Sequence, residues 1–459
     1  MIDIRNVTVV RHGQRLFENL NWRLEGHEHW VIAGPNGSGK TILLELLSGA
    51  IHASQGEVTY DFVKGTTWDE RFAQRKQLIH YIPAHAIQTF LSRHELFYQQ
   101  RYYTMGDERI PKVSDIFGEE IDRLHALQFP SSFNIDALLN LDVTRLSNGQ
   151  LKKVLILKNL VQELPKVVLF DYPFEGLDAE SRRELIEFMD YLANSYHIQL
   201  ILVDHGNELP SAINRKIMLD HFGIASIEEV SKRRLEVSQI HSAVIQSETS
   251  DPVVEMKEVT IRYGEKEIIT KFNWKVSKGE RWALTGKNGS GKTTLFSLIF
   301  ADHPMAYSEK VYLFGKRRGS GESIWDIKKR ITYIGPELIS YLNPQHISMS
   351  ARSYMTGQNK NANTAVLEGL VNYFQAHAFI DRPVKSLSSG ELQLMLIMGA
   401  FLSDRELLLL DEPFQFLDTQ NKERLSHYLQ THLHRDTTLI LITHYENDIA
   451  RWTQKRIKL

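Results

Sequence analysis

Two short stretches carry residue types that can hold phosphate. In Trp282-Ala283-Leu284-Thr285-Gly286-Lys287-Asn288-Gly289-Ser290-Gly291-Lys292-Thr293-Thr294 an apolar run turns into a glycine-rich loop. Gly286, Gly291, Lys292 and Thr293 fit G-x-x-x-x-G-K-[ST]. Glycine lets the backbone curl so that successive N–H groups point inward at phosphate oxygens. Lys292 can reach the terminal phosphates, and the Thr293 hydroxyl can hold Mg2+. The helix expected after the loop adds the positive end of its dipole. Near the start, Trp30-Val31-Ile32-Ala33-Gly34-Pro35-Asn36-Gly37-Ser38-Gly39-Lys40-Thr41 repeats the pattern. Each loop sits between an expected strand and an expected helix, the context a phosphate loop needs.

Other chemistry-bearing residues recur in the same order. Lys40 and Lys292 stand 252 positions apart. Leu146-Ser147-Asn148-Gly149-Gln150 returns 241 positions later as Leu387-Ser388-Ser389-Gly390-Glu391. Val168-Leu169-Phe170-Asp171 returns as Leu408-Leu409-Leu410-Asp411, and Val203-Asp204-His205 as Ile442-Thr443-His444. Four pairs in one order mark an internal duplication. The change from 252 to 241 places about eleven extra residues in the first copy, between its phosphate loop and its Leu-Ser element.

The elements that must position these residues are readable in outline. Strands are expected around Ile4–Val10 and Asn21–Leu24, and Leu43, Leu44, Leu46 and Leu47 give the helix after Lys40 its core face. Residues 77 to 135 read as a less regular insertion. Its aromatic run Phe90–Tyr103 suits core more readily than a docking groove. Leu151, Val154, Leu155, Leu157, Leu160 and Val161 predict a buried helix ended by Pro165. Val167–Phe170 and Gln199–Val203 read as buried strands. A further strand is expected near Lys216–Leu219, then a charged stretch Glu228–Glu236, where Arg233 and Arg234 form a solvated face. Strands alternating with helices predict a mostly parallel α/β sheet.

Composition bounds the rest. The chain has 459 residues, 42% hydrophobic and 24% charged, an ordinary globular mixture long enough for two to four domains. A formal charge of −2 supplies no global basic field for nucleic acid or an acidic membrane. With no cysteine, disulfides and Cys–zinc sites are excluded. The start lacks a signal-peptide pattern and no 18-residue apolar run occurs, so a soluble intracellular protein is expected. No Ser–His–Asp order or metal-ligand spacing offers another chemistry.

A phosphate loop, a Leu-Ser-x-Gly-[Gln/Glu] signature, an apolar strand ending in Asp and a strand ending in His, in that order, make each half resemble the ABC-type ATPase domain. The whole resembles tandem ABC ATPases, with the molybdenum-transport and photorepair-type tandem proteins most similar. The resemblance implies an α/β fold of two P-loop NTPase domains, each a mostly parallel sheet with helices plus an inserted helical subdomain. The implied domains are 1–235 and 253–459, joined by a linker at 236–252. In such proteins two domains pack head to tail, and each ATP lies between the phosphate loop of one and the signature of the other. Ser147-Asn148-Gly149 and Ser388-Ser389-Gly390 offer donors at helix starts for that purpose. A simple N-cap is the plainer reading of one such serine.

By this resemblance ATP would be bound by Gly34, Asn36, Gly37, Gly39, Lys40 and Thr41 in one loop. Gly286, Asn288, Gly289, Gly291, Lys292 and Thr293 would do so in the other. Thr41, Asp171, Thr293 and Asp411 would serve Mg2+. Glu412 would polarise the attacking water, with His444 and His205 holding the γ-phosphate. Lys292, Thr293, Asp411, Glu412 and His444, faced by Ser147 and Gly149, make a complete hydrolytic site. The other, faced by Ser388 and Gly390, has Tyr172 where the second copy has Glu412. A phenol with an ordinary pKa near 10 accepts no proton readily at neutral pH. One active and one slow or holding site are therefore expected. Tyr263 is the expected adenine-stacking aromatic in the second copy, and Arg11 takes that place in the first. The family's coupling glutamine is not evident, with Gln88 and Glu337 as stand-ins.

Two roles follow from the resemblance. One is the energising component of a transporter whose membrane subunit is a separate chain, which places the protein in the cytoplasm at the inner face of the membrane. The other is a cytosolic switch or mechanoenzyme acting on ribosome or nucleic acid. The short linker gives the second little support, as does the small basic loop Lys316-Arg317-Arg318-Gly319, which is expected to be solvent-exposed rather than nucleic-acid-binding. A nucleotide-dependent binding switch with negligible turnover is a third reading, favoured by Tyr172 and opposed by Glu412 and His444.

Overall fold

The computed structural model describes the chain apart from residues 12–13, 85, 88–89, 91–110, 128, 130–132, 134, 144–145, 147, 205–207, 231–251, 264–265, 288, 301–302, 336–346, 359–363, 403–404, 435, 444–448 and 450–451, and the side chains of 14, 148, 162, 263, 266 and 358. Linker residues 236–251, both strand-end histidines, Ser147, Asn288, Gln88, Glu337, Arg233 and Arg234 thus lie outside the described residues, as does the Tyr263 side chain. The chain divides into two compact units, Met1–Leu235 and Glu236–Leu459.

The first unit begins with alternating strands. β1 (Ile2–Arg11) turns Ile2, Ile4, Val7 and Val9 inward and pairs antiparallel with β2 (Gln14–Leu24). After β3 (Trp30–Ala33) comes helix α1 (Lys40–Ser48), then β4 (Gln55–Tyr60), which pairs with the other side of β1. A second sheet has the order β5-β6-β7-β3-β8-β9. Its strands are β5 (Ile79–Ile82), β6 (Val167–Asp171), β7 (Gln199–Val203), β8 (Arg215–Asp220) and β9 (Gly223–Glu229). All neighbours are parallel except the β8–β9 edge. Every residue of β6 and β7 is buried, as expected of strands covered on both faces.

β5 corrects the reading of residues 77–135 as irregular, because Ile79–Ile82 is a strand of the main sheet. It lies 252 positions before its counterpart, so the extra residues of the first copy fall after this strand. The described residues between this strand and α2 (Asn148–Gln162) include short helices at Val113–Phe117, Ile121–Ala126 and Ile135–Leu139. Phe90 is buried with Val113, Phe117 and Leu151, as the core reading of that aromatic expects. The rest of the aromatic run lies outside the described residues. α3 (Ala179–Tyr196) packs Leu185, Phe188, Met189 and Leu192 inward at helical spacing.

The second unit repeats the plan. β10 (Pro252–Tyr263), β11 (Lys266–Ser277), β13 (Val311–Leu313) and β14 (Lys316–Arg317) form the antiparallel sheet. The basic stretch 316–319 is thus not a solvent-exposed loop throughout: its first two residues are a strand, and Arg318 is buried. β12 (Arg281–Thr285), β15 (Ile331–Ile334), β16 (Leu407–Asp411), β17 (Thr438–Ile442) and β18 (Lys455–Lys458) form a fully parallel one. Its order, β15-β16-β17-β12-β18, matches the first unit strand for strand without the β9 edge. The helices that matter for the site are α4 (Lys292–Ile299), α5 (Ser389–Phe401) and α6 (Thr419–Thr431). α5 is buried on all sides from Gly390 to Met398, which explains why its sequence shows no polar stripe. No described helix is long and apolar enough to cross a membrane.

Candidate functional site

In each unit the strand order brings three strand ends together. The phosphate loop leaves β3, the Asp171 strand β6 lies two places away, and β7 runs between them. The second unit does the same with β12, β16 and β17. A crevice at the carboxyl ends of parallel strands is the general ligand position in open α/β sheets.

The two loops have one backbone. Gly34, Gly37 and Gly39 have φ of 142°, 78° and 96°, and Gly286, Gly289 and Gly291 have 150°, 79° and 97°. Only glycine adopts such angles freely. Gly34 and Gly286 are also close approaches. A β-carbon on Gly34 would collide with the Leu219 carbonyl of β8, and one on Gly286 would lie 2.9 Å from the Leu459 carbonyl. α1 and α4 start at Lys40 and Lys292 with Gly39 and Gly291 as N-caps, which bring no side chain to satisfy the first turn. Ser38 Oγ and Ser290 Oγ are buried without a hydrogen-bond partner. Orphaned hydroxyls inside a curled backbone at a helix start suit a phosphate ligand.

Lys40 is buried, and its Nζ donates to the Gly34 and Pro35 carbonyls at 2.9 and 2.7 Å. Lys292 Nζ donates to the Gly286 and Lys287 carbonyls at 2.8 and 2.9 Å. Thr41 Oγ1 donates to Asp171 Oδ2 at 2.9 Å, and Thr293 Oγ1 to Asp411 Oδ2 at 3.1 Å. Both carboxyls are pushed up to about 6, chiefly by burial, against the opposing pull of the threonine hydrogen bonds and the loop lysines. In the first unit the Tyr81 phenol stands beside Asp171, and burial together with that carboxylate pushes it up. Among the described residues no three His, Asp or Glu gather in one place. One carboxylate and one hydroxyl per loop is a donor set that fits Mg2+, which takes its other ligands from phosphate and water.

Tyr172 and Glu412 follow the two aspartates on the same backbone, each with φ of 50°. Tyr172 N–H donates to Val203 O at 3.0 Å, and Glu412 N–H to Ile442 O at 2.9 Å. The turns continue through buried Phe174 and Leu177, or Phe414 and Leu417, to Asp178 and Asp418. Those aspartates cap α3 and α6 by accepting from Ser181 N–H and Asn421 N–H, each at 2.7 Å. Sequence reasoning passed over Lys152. Its Nζ donates to the Pro173 and Glu175 carbonyls of this turn at 2.6 and 2.7 Å. The duplication could have flagged it, because Gln393 stands 241 positions later, and its Nε2 donates to Pro413 O at 3.1 Å.

The signature elements lie at helix starts. Ser388 caps α5 in a reciprocal box: its Oγ accepts from Glu391 N–H while Glu391 Oε2 accepts from Ser388 N–H. Glu391 is held by Arg382 at 2.9 Å, and Gly390 is buried. Gly149 begins α2 against Ser181 of α3, where a β-carbon would lie 2.8 Å from the Ser181 Cβ. Arg11 pairs with Gln14 at the tip of the β1–β2 hairpin, and Tyr263 pairs with Lys266 at the matching tip. The Arg11 guanidinium meets Glu45 of α1 at 3.2 Å.

Comparison with known proteins agrees with this arrangement. The family profile described as "ABC transporter" matches residues 17–175 and again 269–415. An uncharacterized ABC transporter ATP-binding protein of Schizosaccharomyces pombe is 27% identical over 99% of this chain and 97% of its own length. The ABC transporter ATP-binding protein ModF of Escherichia coli is 28% identical over 95% of this chain and 92% of its own. Among solved structures, an archaeal ribosome recycling factor, aABCE1, in complex with an archaeal ribosomal stalk protein superposes with a TM-score of 0.58 at 17% identity. That match covers 99% of this chain and 87% of the other, and bears on the fold alone. With two matched segments, two like-built phosphate loops and a threonine-bonded aspartate beside each, the chain belongs to the ABC transporter family as a tandem, nucleotide-binding ATP hydrolase.

Proposed function

We propose that the protein binds two Mg-ATP in composite sites, each made from the phosphate loop of one unit and the signature of the other, and hydrolyses mainly one of them. Gly286, Asn288, Gly289, Gly291, Lys292 and Thr293 would hold the phosphates of the active site, opposite Ser147 and Gly149. Gly34, Asn36, Gly37, Gly39, Lys40 and Thr41 would do so in the other, opposite Ser388 and Gly390. Tyr263 would stack on the base in the active site. Mg2+ would be held by Thr293 and Asp411, and by Thr41 and Asp171, and supplies charge stabilisation on the phosphate oxygens. Glu412 is the residue that orients and deprotonates water, and His444 and His205 would hold the terminal phosphate.

The observation that carries this reading is the exchange of Glu412 for Tyr172 on an unchanged backbone. A general base is worth about 10²–10⁴ in rate. Glu412→Gln should therefore lower steady-state phosphate release at least about 10²-fold, while Tyr172→Phe changes it little. Intact release by Glu412→Gln rejects the assignment.

The work done with ATP is the energising of a separate membrane subunit, with the chain in the cytoplasm at the inner face of the membrane. Names of relatives that align over nearly the whole chain support this. The alternative, action on ribosome or nucleic acid, has the tandem fold of the ribosome recycling factor on its side. Fractionation decides: nucleotide-dependent recovery with membranes supports the first role, and recovery with ribosomes the second.

A further inference from the structure

The duplication makes each unit a control for the other, and one pair of buried positions differs in charge. In the second unit, the residue after the strand aspartate is Glu412 and the signature-helix residue over the turn is Gln393. In the first unit they are Tyr172 and Lys152. Tyr172 and Lys152 bring an ammonium and no carboxylate, whereas Glu412 and Gln393 bring a carboxylate and no cation, at matching places.

Lys152 is built into its position. It is half-buried as a residue, but its ammonium is the enclosed end, bound to the Pro173 and Glu175 carbonyls. It lines one recess with Tyr172, Asp171, Ile82 and Pro83. Burial lowers the ammonium to about 8, partly offset by Glu175 and Asp204, with Arg182 acting with burial, so the group stays charged at pH 7. The matching Gln393 makes one bond to the turn, without charge. A carboxylate placed at 172 would share the recess with an ammonium, whereas the signature helix of the second unit brings a neutral amide to the turn after Glu412. A carboxylate that ion-pairs with that fixed ammonium is held by it and is not free to orient water.

We infer that Lys152 is a positioning residue of the first site: it clamps the turn after Tyr172 and, with Tyr172, commits that site to retaining Mg-ATP, so that restoring a carboxylate at 172 alone does not restore hydrolysis. This rests on the one-active-site reading above. It adds that the silence of the first pocket is written in two residues.

The test uses the full chain carrying Glu412→Gln. Phosphate release is measured for that background, then with Tyr172→Glu, with Lys152→Gln, and with both added. Retention of labelled ATP after rapid desalting is read in parallel. Glutamine is what the second unit carries at this place, so the donor to Pro173 O is kept, and a thermal melt checks folding. The expected result is silence with Tyr172→Glu alone, at least about tenfold faster release with the pair, and shorter ATP retention with Lys152→Gln. Release by Tyr172→Glu without the lysine change overturns the inference. So does silence of both Tyr172→Glu variants, or ATP retention indifferent to Lys152→Gln. If Glu412→Gln does not stop release, the one-active-site reading has failed, and that is seen before Lys152 is touched.

Discussion

The shape of the phosphate loops can be tested with three alanines. At Gly34 the loop passes so close to β8 that an added β-carbon meets the Leu219 carbonyl, a backbone atom fixed by the β3–β8 ladder. Its φ of 142° is also hostile to any side chain. Left-handed backbone costs an L-residue about 1–2 kcal/mol, and forcing atoms into a packed site adds about 1–3 kcal/mol. Gly34→Ala should thus cost about 2–5 kcal/mol. At Gly286 the added carbon lies 2.9 Å from the Leu459 carbonyl and 2.7 Å from Ser290 Oγ, which can turn aside, so the cost is smaller. At Gly289 nothing lies within 4 Å and only the backbone penalty, about 1 kcal/mol, remains. Hydrogen exchange of the strands flanking each loop, with binding of a fluorescent ATP analogue, reads the series. The expected order of damage is Gly34→Ala, then Gly286→Ala, then Gly289→Ala, with analogue affinity down at least about tenfold for the first. Equal protection of β3 and β8 in wild type and Gly34→Ala would refute the close approach on which the loop geometry rests.

Ser388→Ala removes the hydroxyl half of the α5 capping box and should lower the stability of the second unit by about 1 kcal/mol, read as a lower denaturation midpoint. A companion loss of ATP retention beyond that stability effect would speak for a ligand role of this serine, which faces the retaining site in the proposed arrangement. Lys152 gives a pH signature. Its folded pKa, about 8, lies below the unfolded value of 10.5, so the penalty for burying the cation is fully present below pH 8. As pH rises from about 8 to 10.5, the unfolded state binds more protons and the folded first unit gains up to about 3 kcal/mol. The urea midpoint of wild type minus that of Lys152→Gln should therefore increase over that range, and a pH-independent difference contradicts the enclosed ammonium.

What the sequence reveals follows from how much each element depends on its own residues. β6, β7, β16 and β17 are five-residue runs buried throughout, so their apolar content alone marks them. The glycines and lysines of the loops are legible because few other residues tolerate that backbone or that reach. β5 escapes because Ile79-His80-Tyr81-Ile82 mixes polar with apolar residues and owes its place to pairing with β6. β9 escapes because an edge strand, Gly223–Glu229, needs no apolar run. Lys152 escapes for another reason. It stands beside Lys153 on a helix whose other surroundings cannot be read from spacing, and its burial is made by the turn at Pro173–Glu175, distant in sequence. Tertiary contacts of this kind leave no periodic trace.

The asymmetry between the units follows from where the catalytic turn gets its shape. A tyrosine at φ of 50° carries strain of about 1–2 kcal/mol, yet the first unit keeps the same angle as Glu412. The reason lies outside the side chain. The N–H of residue 172 extends the β6–β7 ladder one step to Val203 O, and Phe174 and Leu177 anchor the turn in the core. Asp178 then fixes its far end as the cap of α3. Those constraints have counterparts around Glu412, so the backbone of the turn is held whatever side chain stands after the aspartate. The chemistry of that position can then change without a change of fold. On the function proposed above, an ATPase pocket would become a retaining pocket by exchange of a base for a phenol and of an amide for an ammonium, while the phosphate loop, the threonine–aspartate pair and the turn stay as they are.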